Sequence, residues 1–204
     1  DQLLFGDFSA CLNLGGFANG SMSKNGDVIA YDICAVNTVM NLLAEKKGMP
    51  FDKGGELAKN GTLIPELFSD LGALKFYKID SPKSLGIEWV NSIIFPLLTK
   101  FNDNKVENIL HTYARHISFE ISRNFSENQR VLVTGGGAKN LFLMSLLKTD
   151  CLATLFLPDE KLIDFKEALI FGFLGVLRVR NEVNCLSSVT GASVDHSSGC
   201  IFYP

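Results

Sequence analysis

Paired cysteines, basic clusters and long apolar runs are all missing from this chain. Its five cysteines, Cys11, Cys34, Cys151, Cys185 and Cys200, are odd in number and never spaced C-x-x-C. That excludes a zinc ribbon and argues against a disulfide framework. Reduced, mostly buried thiols of a cytoplasmic protein are expected. Lysine and arginine (19) fall short of aspartate and glutamate (22), giving a formal charge of 19 − 22 = −3. No nucleic-acid partner and no anionic-membrane surface is expected, because both need clustered cations. Histidine occurs three times. His111 and His116 are five apart, off the i,i+4 spacing that aims two imidazoles at one ion. The most apolar stretch, Ala168 to Val179, is interrupted by Gly172 and Gly175 and is shorter than the roughly 20 residues of a bilayer span. A basic n-region is absent at Asp1-Gln2, and so is an initiating methionine, so a fragment without a signal peptide is expected.

What is present is an ordinary globular composition, with 47% apolar and 20% charged residues, enough for a real core. The first third reads as a β-meander. Ala10–Leu14 is a short strand, and Ala18–Ser23 and Val28–Cys34 pair across Lys24-Asn25-Gly26-Asp27, whose Asn-Gly marks a tight turn. Val36, Val39, Met40, Leu43 and Ala44 then share one helix face. From about Pro50 to Glu127 the pattern is helical. Its clearest helix runs from Val106 to Phe125 with an apolar stripe at Ile109, Leu110, Tyr113, Ile117 and Ile121. The last third alternates: strand Val131–Thr134, helix Asn140–Lys148, strand Ala153–Leu157, helix Phe165–Arg178. That final helix is apolar nearly all round and is expected to be covered on several sides. The order β-β-β-α, helices, β-α-β-α calls for a mixed sheet with helices packed on it.

Two glycine turns carry the functional signal. In VLVTGGGAKN a β-branched strand breaks into Gly135, Gly136 and Gly137 before a helix at Asn140. Glycines leave backbone amides uncovered, and the helix start adds unpaired N–H groups and a positive dipole end. A P-loop is excluded because no Gly-Lys-Ser/Thr follows. A dinucleotide fold, with Asp159 as the ribose acid, is the weaker alternative because its third glycine position is Asn140 and the chain opens on a meander. In LNLGGFAN a strand runs into Gly15 and Gly16 inside a hairpin. That turn can present amides to a terminal phosphate, with Asn19 as a side-chain donor. Two such turns on adjacent strands point to one shared site.

Seven segments, LFGDFSACLNLGGFAN, YDICAVN, DKGGELAKNG, SPKSLGIEW, VLVTGGGAKNLFLMSLL, KEALIFGFLGVLRVRNEVN and SVTGA, occur in one order across nearly the whole chain. In them the sequence resembles the C-terminal lobe of the anhydro-N-acetylmuramic acid kinases, sugar kinases of the actin/hexokinase/Hsp70 superfamily. The resemblance implies a ribonuclease H-like α/β lobe with a mixed five-stranded sheet. Residues 1–44 would form the meander and first helix, 45–128 a helical insertion and 129–204 the β-α-β-α remainder. It implies ATP and Mg²⁺ as cofactors, an anhydro-sugar substrate phosphorylated as water opens its ring, and a homodimer. By position, Gly15, Gly16 and Asn19 would lie at the phosphates, and Gly135, Gly136, Gly137 and Asn140 near the adenosine. Asp32 would organise Mg²⁺ or its waters, and Glu167 would lie near the sugar. The residues alone leave other roles open: Asp32 as a cap of the following helix, and Glu167 as half of a capping box with Asp164.

Departures from the family pattern stand beside these matches. Cys34-Ala35-Val36-Asn37 replaces Gly-Pro-Gly-Asn, Gly20 replaces isoleucine, and Ile87 replaces an arginine. Two lost glycines are expected to restrict backbone approach to the phosphates. The resemblance also puts the N-terminal lobe, with its phosphate loop and the catalytic aspartate, upstream of these residues. A complete protein would then be an enzyme, and this chain alone inactive. The rival reading is a non-catalytic ATP-binding or assembly module of the same fold.

Overall fold

The computed structural model describes residues 1–24 and 26–202. β1 (Ala10–Leu14), β2 (Phe17–Lys24) and β3 (Asp27–Ala35) form the antiparallel meander. β4 (Arg130–Thr134) and β5 (Thr154–Phe156) extend it on the other side, β4 parallel to β1 and β5 parallel to β4. The sheet order is β3-β2-β1-β4-β5, the mixed five-stranded arrangement of a ribonuclease H-like lobe. The antiparallel flank removes the dinucleotide-fold alternative, which needs parallel crossovers throughout. Asn25, of the Asn-Gly turn expected from the sequence, lies outside the described residues.

The helices in chain order are α1 (Asn37–Glu45), α2 (Glu56–Lys59), α3 (Pro65–Gly72), α4 (Ile87–Trp89), α5 (Phe95–Thr99), α6 (Val106–Ser122), α7 (Leu141–Asp150), α8 (Glu160–Val179) and α9 (Ser187–Thr190). A π-helical stretch, Val90–Ile94, joins α4 to α5. The core is one cluster that runs from Leu12 and Leu14 on β1 through Val39 and Leu43 on α1 to Leu110, Tyr113 and Ile117 on α6 and Leu143 and Leu147 on α7.

Two helices exchange the roles their patterns suggest. α6, read as a one-sided stripe, is buried nearly all round, with α1, α2, α3, α7 and β3 packed about it. Its polar members disguise this in the sequence: Ser118 donates to Asp150 at 2.7 Å, and Thr112 accepts from Ile64 N–H at 2.9 Å. The reverse holds for α8. Only Lys166 and Leu177 on it are buried, while Phe165, Phe171 and Val179 are 63%, 66% and 74% exposed. The expectation that α8 is covered on several sides is therefore corrected: among the described residues nothing covers its apolar outer face. Lys166 fixes its inner face through an ion pair with Asp1 at 2.9 Å. Among the described residues no helix is long and apolar enough to cross a membrane.

Candidate functional site

The parallel strands β1 and β4 end side by side, and the two glycine turns follow directly from them. Their approach is tight. A Cβ added to Gly137 would stand 2.8 Å from Leu14 Cβ and 3.0 Å from Leu14 O, and one added to Gly135 would stand 2.8 Å from the Leu14 carbonyl. Gly135 also has φ +84°, which an L side chain rarely adopts. The two turns singled out in the sequence are therefore in direct contact, with Leu14, just before Gly15, against the Gly135–Gly137 loop. Gly16 and Gly136 face outward and are exposed.

Three side chains stiffen this edge. Asn13 occupies the gap between the turns: its Oδ1 lies 2.6 Å from the Cβ position of Gly135 and its Nδ2 lies 3.3 Å from that of Gly15. Asn37, at the start of α1, donates to Leu14 O at 3.3 Å. Thr38 Oγ1 fills the place where a Cβ on Gly16 would fall. The amides of Val36, Asn37 and Thr38 donate to the carbonyls of Gly16, Gly15 and Gly16 at 2.8, 3.3 and 3.2 Å. The first turn of α1 thus spends its free N–H groups on holding the hairpin, and the outward-facing Gly16 is presented on a rigid mount. Cys34 and Val36, at positions where the resemblance would put glycines, are 0% exposed and join the core. Their bulk is taken up inside the protein, and burial pushes the Cys34 thiol pKa up.

Asn140 caps α7, accepting from Leu143 N–H at 3.0 Å. It is covered by Gly55, whose φ of +77° and lack of a Cβ permit contact with both Asn140 and Phe142. Asp52 builds that turn by accepting from Leu57 N–H and Ala58 N–H at 2.8 and 2.9 Å. The DKGG segment of the insertion is therefore a wall of the glycine loop, a link that no local pattern announces.

Asp32 does not cap α1, whose N-cap, Val36, makes no side-chain bond. Its Oδ2 instead accepts from Leu85 N–H at 2.7 Å, and its own N–H donates to Lys83 O at 3.0 Å. The register shifts between Ala18 and Asn19, where Ala18 faces Cys34 and Asn19 faces Asp32. That leaves Ile33 as the extra residue of a bulge, a device that re-aims side chains. Register then sets a polar row across four strands: Asp32, Asn19, Asn13 and Thr134. Thr134 Oγ1 in this row is buried with no partner. At about 4.8 Å per strand the row spans roughly 14 Å, so no single ion touches all of it. Its oxygen donors are of the hard kind that suits Mg²⁺ holding most of its waters, with Asp32 and its neighbour Asn19 as the fitting pair.

Glu167 is exposed on α8. The capping-box alternative is overturned, because α8 begins earlier and is capped by Asp159, which accepts from Leu162 N–H at 2.8 Å. Asp164 pairs instead with Lys139 of the glycine loop, which places Glu167 one helical turn beyond that contact. Sequence reading missed Asn13, Thr38, Gly55 and Thr134. Only Asn13 had a local signal, as the polar residue inside the strand that ends in Gly15-Gly16.

The sheet order and the flanking helices define a mixed α/β lobe of the ribonuclease H-like fold. A model of the family described as Anhydro-N-acetylmuramic acid kinase matches residues 3–204, and the chain belongs to that family. An anhydro-N-acetylmuramic acid kinase of Actinobacillus pleuropneumoniae serotype 3 is 35% identical over 205 residues, covering 94% of this chain and 55% of its own length. The kinase of that name from Vibrio cholerae serotype O1 is 32% identical, covering 95% and 55%. The chain thus spans about half the length of the curated relatives it matches. Among solved structures, component A of the Acidaminococcus fermentans (R)-2-hydroxyglutaryl-CoA dehydratase aligns with a TM-score of 0.49 at 15% identity, over 82% of this chain and 61% of that one. The activator of the Clostridium difficile 2-hydroxyisocaproyl-CoA dehydratase, with bound ADPNP, aligns at 0.46 and 15%, over 75% and 55%.

Proposed function

We propose that this chain is the nucleotide-binding half of a cytoplasmic kinase that phosphorylates 1,6-anhydro-N-acetylmuramic acid with ATP while water opens the anhydro ring. The observation that carries the reading is the contact of both glycine turns around Leu14, in a chain that belongs to the kinase family. In this reading Gly16 offers its backbone to the terminal phosphates. Gly136 and Gly137 open a single helical turn whose first N–H groups have no carbonyl to pair with. Those amides take the adenosine side of the nucleotide, with Asn140 holding the loop's far end. Asn13 keeps the two turns at a fixed separation, so donors are placed before the ligand arrives. Such positioning is most of what a protein contributes to phosphoryl transfer. Asp32 and Asn19 would hold Mg²⁺ through its waters, and the ion would supply charge neutralisation at the phosphates.

Glu167 orients the sugar from α8. The activating aspartate and the opposing wall of the cleft come from the lobe that makes up the rest of the relatives' length. Closure of two lobes excludes water and completes the site, so this chain alone turns nothing over. The bare apolar face of α8 supports an additional covering surface, which we assign to that lobe; the complete protein is a homodimer.

A coupled ADP-release assay with Mg²⁺-ATP and 1,6-anhydro-N-acetylmuramic acid tests this. Turnover is expected from the full-length gene product and none from residues 1–204. A folded full-length protein without turnover would point instead to a non-catalytic module of the same fold.

A further inference from the structure

A second polar site lies away from the glycine turns, on the outer side of β3. There a cavity of about 230 Å³ opens between β3, the loop Tyr77–Lys83 and the C-terminal end of α6. Glu120 reaches it from α6 while only 4% exposed, and its Oε1 has no hydrogen-bond partner. The buried Tyr77 hydroxyl in the same wall is also unpaired. Leaving such groups unsatisfied is costly, so a polar occupant is favoured there.

The charges around the cavity select among occupants. Two acids, Asp80 and Glu120, and two bases, Lys83 and Arg123, line it. The one ion pair among them is Arg123–Glu120, a loose 3.5 Å. Lys83 Nζ donates to Phe76 O at 3.1 Å and has further protons to give. A simple anion meets the repulsion of Asp80 and Glu120, and a simple cation meets that of Lys83 and Arg123. A neutral sugar offers only hydroxyls to groups that form stronger bonds with ions. A ligand carrying both signs satisfies each wall, with an ammonium at Glu120 Oε1 and a carboxylate toward Lys83 and Arg123. The volume falls below the range for drug-sized ligands, which limits the occupant to a small metabolite.

We propose that this cavity binds a small zwitterion of the free α-amino-acid class. The site also bears on the candidate nucleotide edge, because Lys83 O and Leu85 N–H are the two groups that hold Asp32.

Isothermal titration of the full-length gene product with individual α-amino acids, alongside glucose and inorganic phosphate, tests the proposal. At least one amino acid is expected to bind, with affinity falling about tenfold or more in Glu120→Gln and in Arg123→Ala. Arg123 is exposed, so its variant keeps the fold even where Glu120→Gln does not. The proposal is overturned if no amino acid binds the folded protein. It also fails if Arg123→Ala leaves binding unchanged, or if glucose or phosphate binds more tightly than every amino acid.

Discussion

Gly137 and Leu14 touch so closely that a single methyl group on Gly137 would overlap the Leu14 Cβ at 2.8 Å. Neither atom sits at the end of a flexible side chain, so backbone must move to relieve the overlap. Gly137→Ala is expected to cost about 1–3 kcal/mol, read as a lowered urea midpoint with an unchanged slope.

Gly136, one residue earlier, has nothing nearer its Cβ position than Asn37 Nδ2 at 3.8 Å. Gly136→Ala is therefore expected to leave stability within about 0.5 kcal/mol of the parent, as for other surface substitutions. If nucleotide lies against this backbone, the same change weakens ATP binding. Equal ATP affinity in parent and variant, by calorimetry on the full-length gene product, would contradict the placement.

His116 governs an acid-sensitive part of the stability. It is fully buried, its ring set edge-on to Phe68 and Tyr77, and neither nitrogen has a partner. Desolvation holds its pKa down to about 3, against 6.5 for an ordinary histidine. Between those values the unfolded chain binds the extra proton, so stability falls as pH drops from about 6.5 toward 3. The loss over that window is about 4–5 kcal/mol at most. His116→Leu, similar in volume and without polar atoms, is expected to unfold no more easily at neutral pH and to flatten this window. Urea titrations of both proteins between pH 7 and 4 read the difference directly; parallel curves would rule it out.

Val36 stands where the resemblance would put a glycine, yet placing a glycine there is expected to harm the protein. Val36 is fully buried in the core and its N–H holds Gly16 O at 2.8 Å. Val36→Gly removes packed methyl groups and frees the backbone, costing about 2–4 kcal/mol. Thermal unfolding checks it: a drop of several degrees is expected, and an unchanged transition would show that the site repacks.

The outer face of α8 gives a prediction of the opposite kind. Phe171 is 66% exposed in this chain, so Phe171→Lys is expected to leave its unfolding transition in place. The same change is expected to weaken association with a separately produced N-terminal lobe, measured by co-purification of the two halves. Undiminished association would move the covering surface elsewhere.

Much of the sheet was legible because its signals are local. The observed bounds of β1 equal those read from alternation and the following glycines, and β2, β3 and β4 differ by one residue at their ends. The start of α8 was not: Glu160 to Asp164 look like loop, and Asp159 reads as a candidate ribose acid until its carboxylate is seen capping the helix. The insertion ahead of α6 resisted because its helices are short and one stretch is π-helical, so no periodicity survives there long enough to read. At the candidate site the glycines were legible, but what fixes them was not. Leu14 against Gly137 and Gly55 against Asn140 are contacts between residues more than eighty positions apart, and no local pattern encodes them.

Amide chemical shifts of the ¹⁵N-labelled chain, titrated with Mg²⁺-ATP to millimolar concentration, test the central claim most directly. A single nucleotide edge predicts perturbations clustered at Asn13 to Gly16, Val36 to Thr38 and Gly135 to Asn140, with the far end of the sheet near Asp27 and Arg130 unmoved. Perturbations confined to one glycine turn, or none in a folded chain, would contradict the joint site.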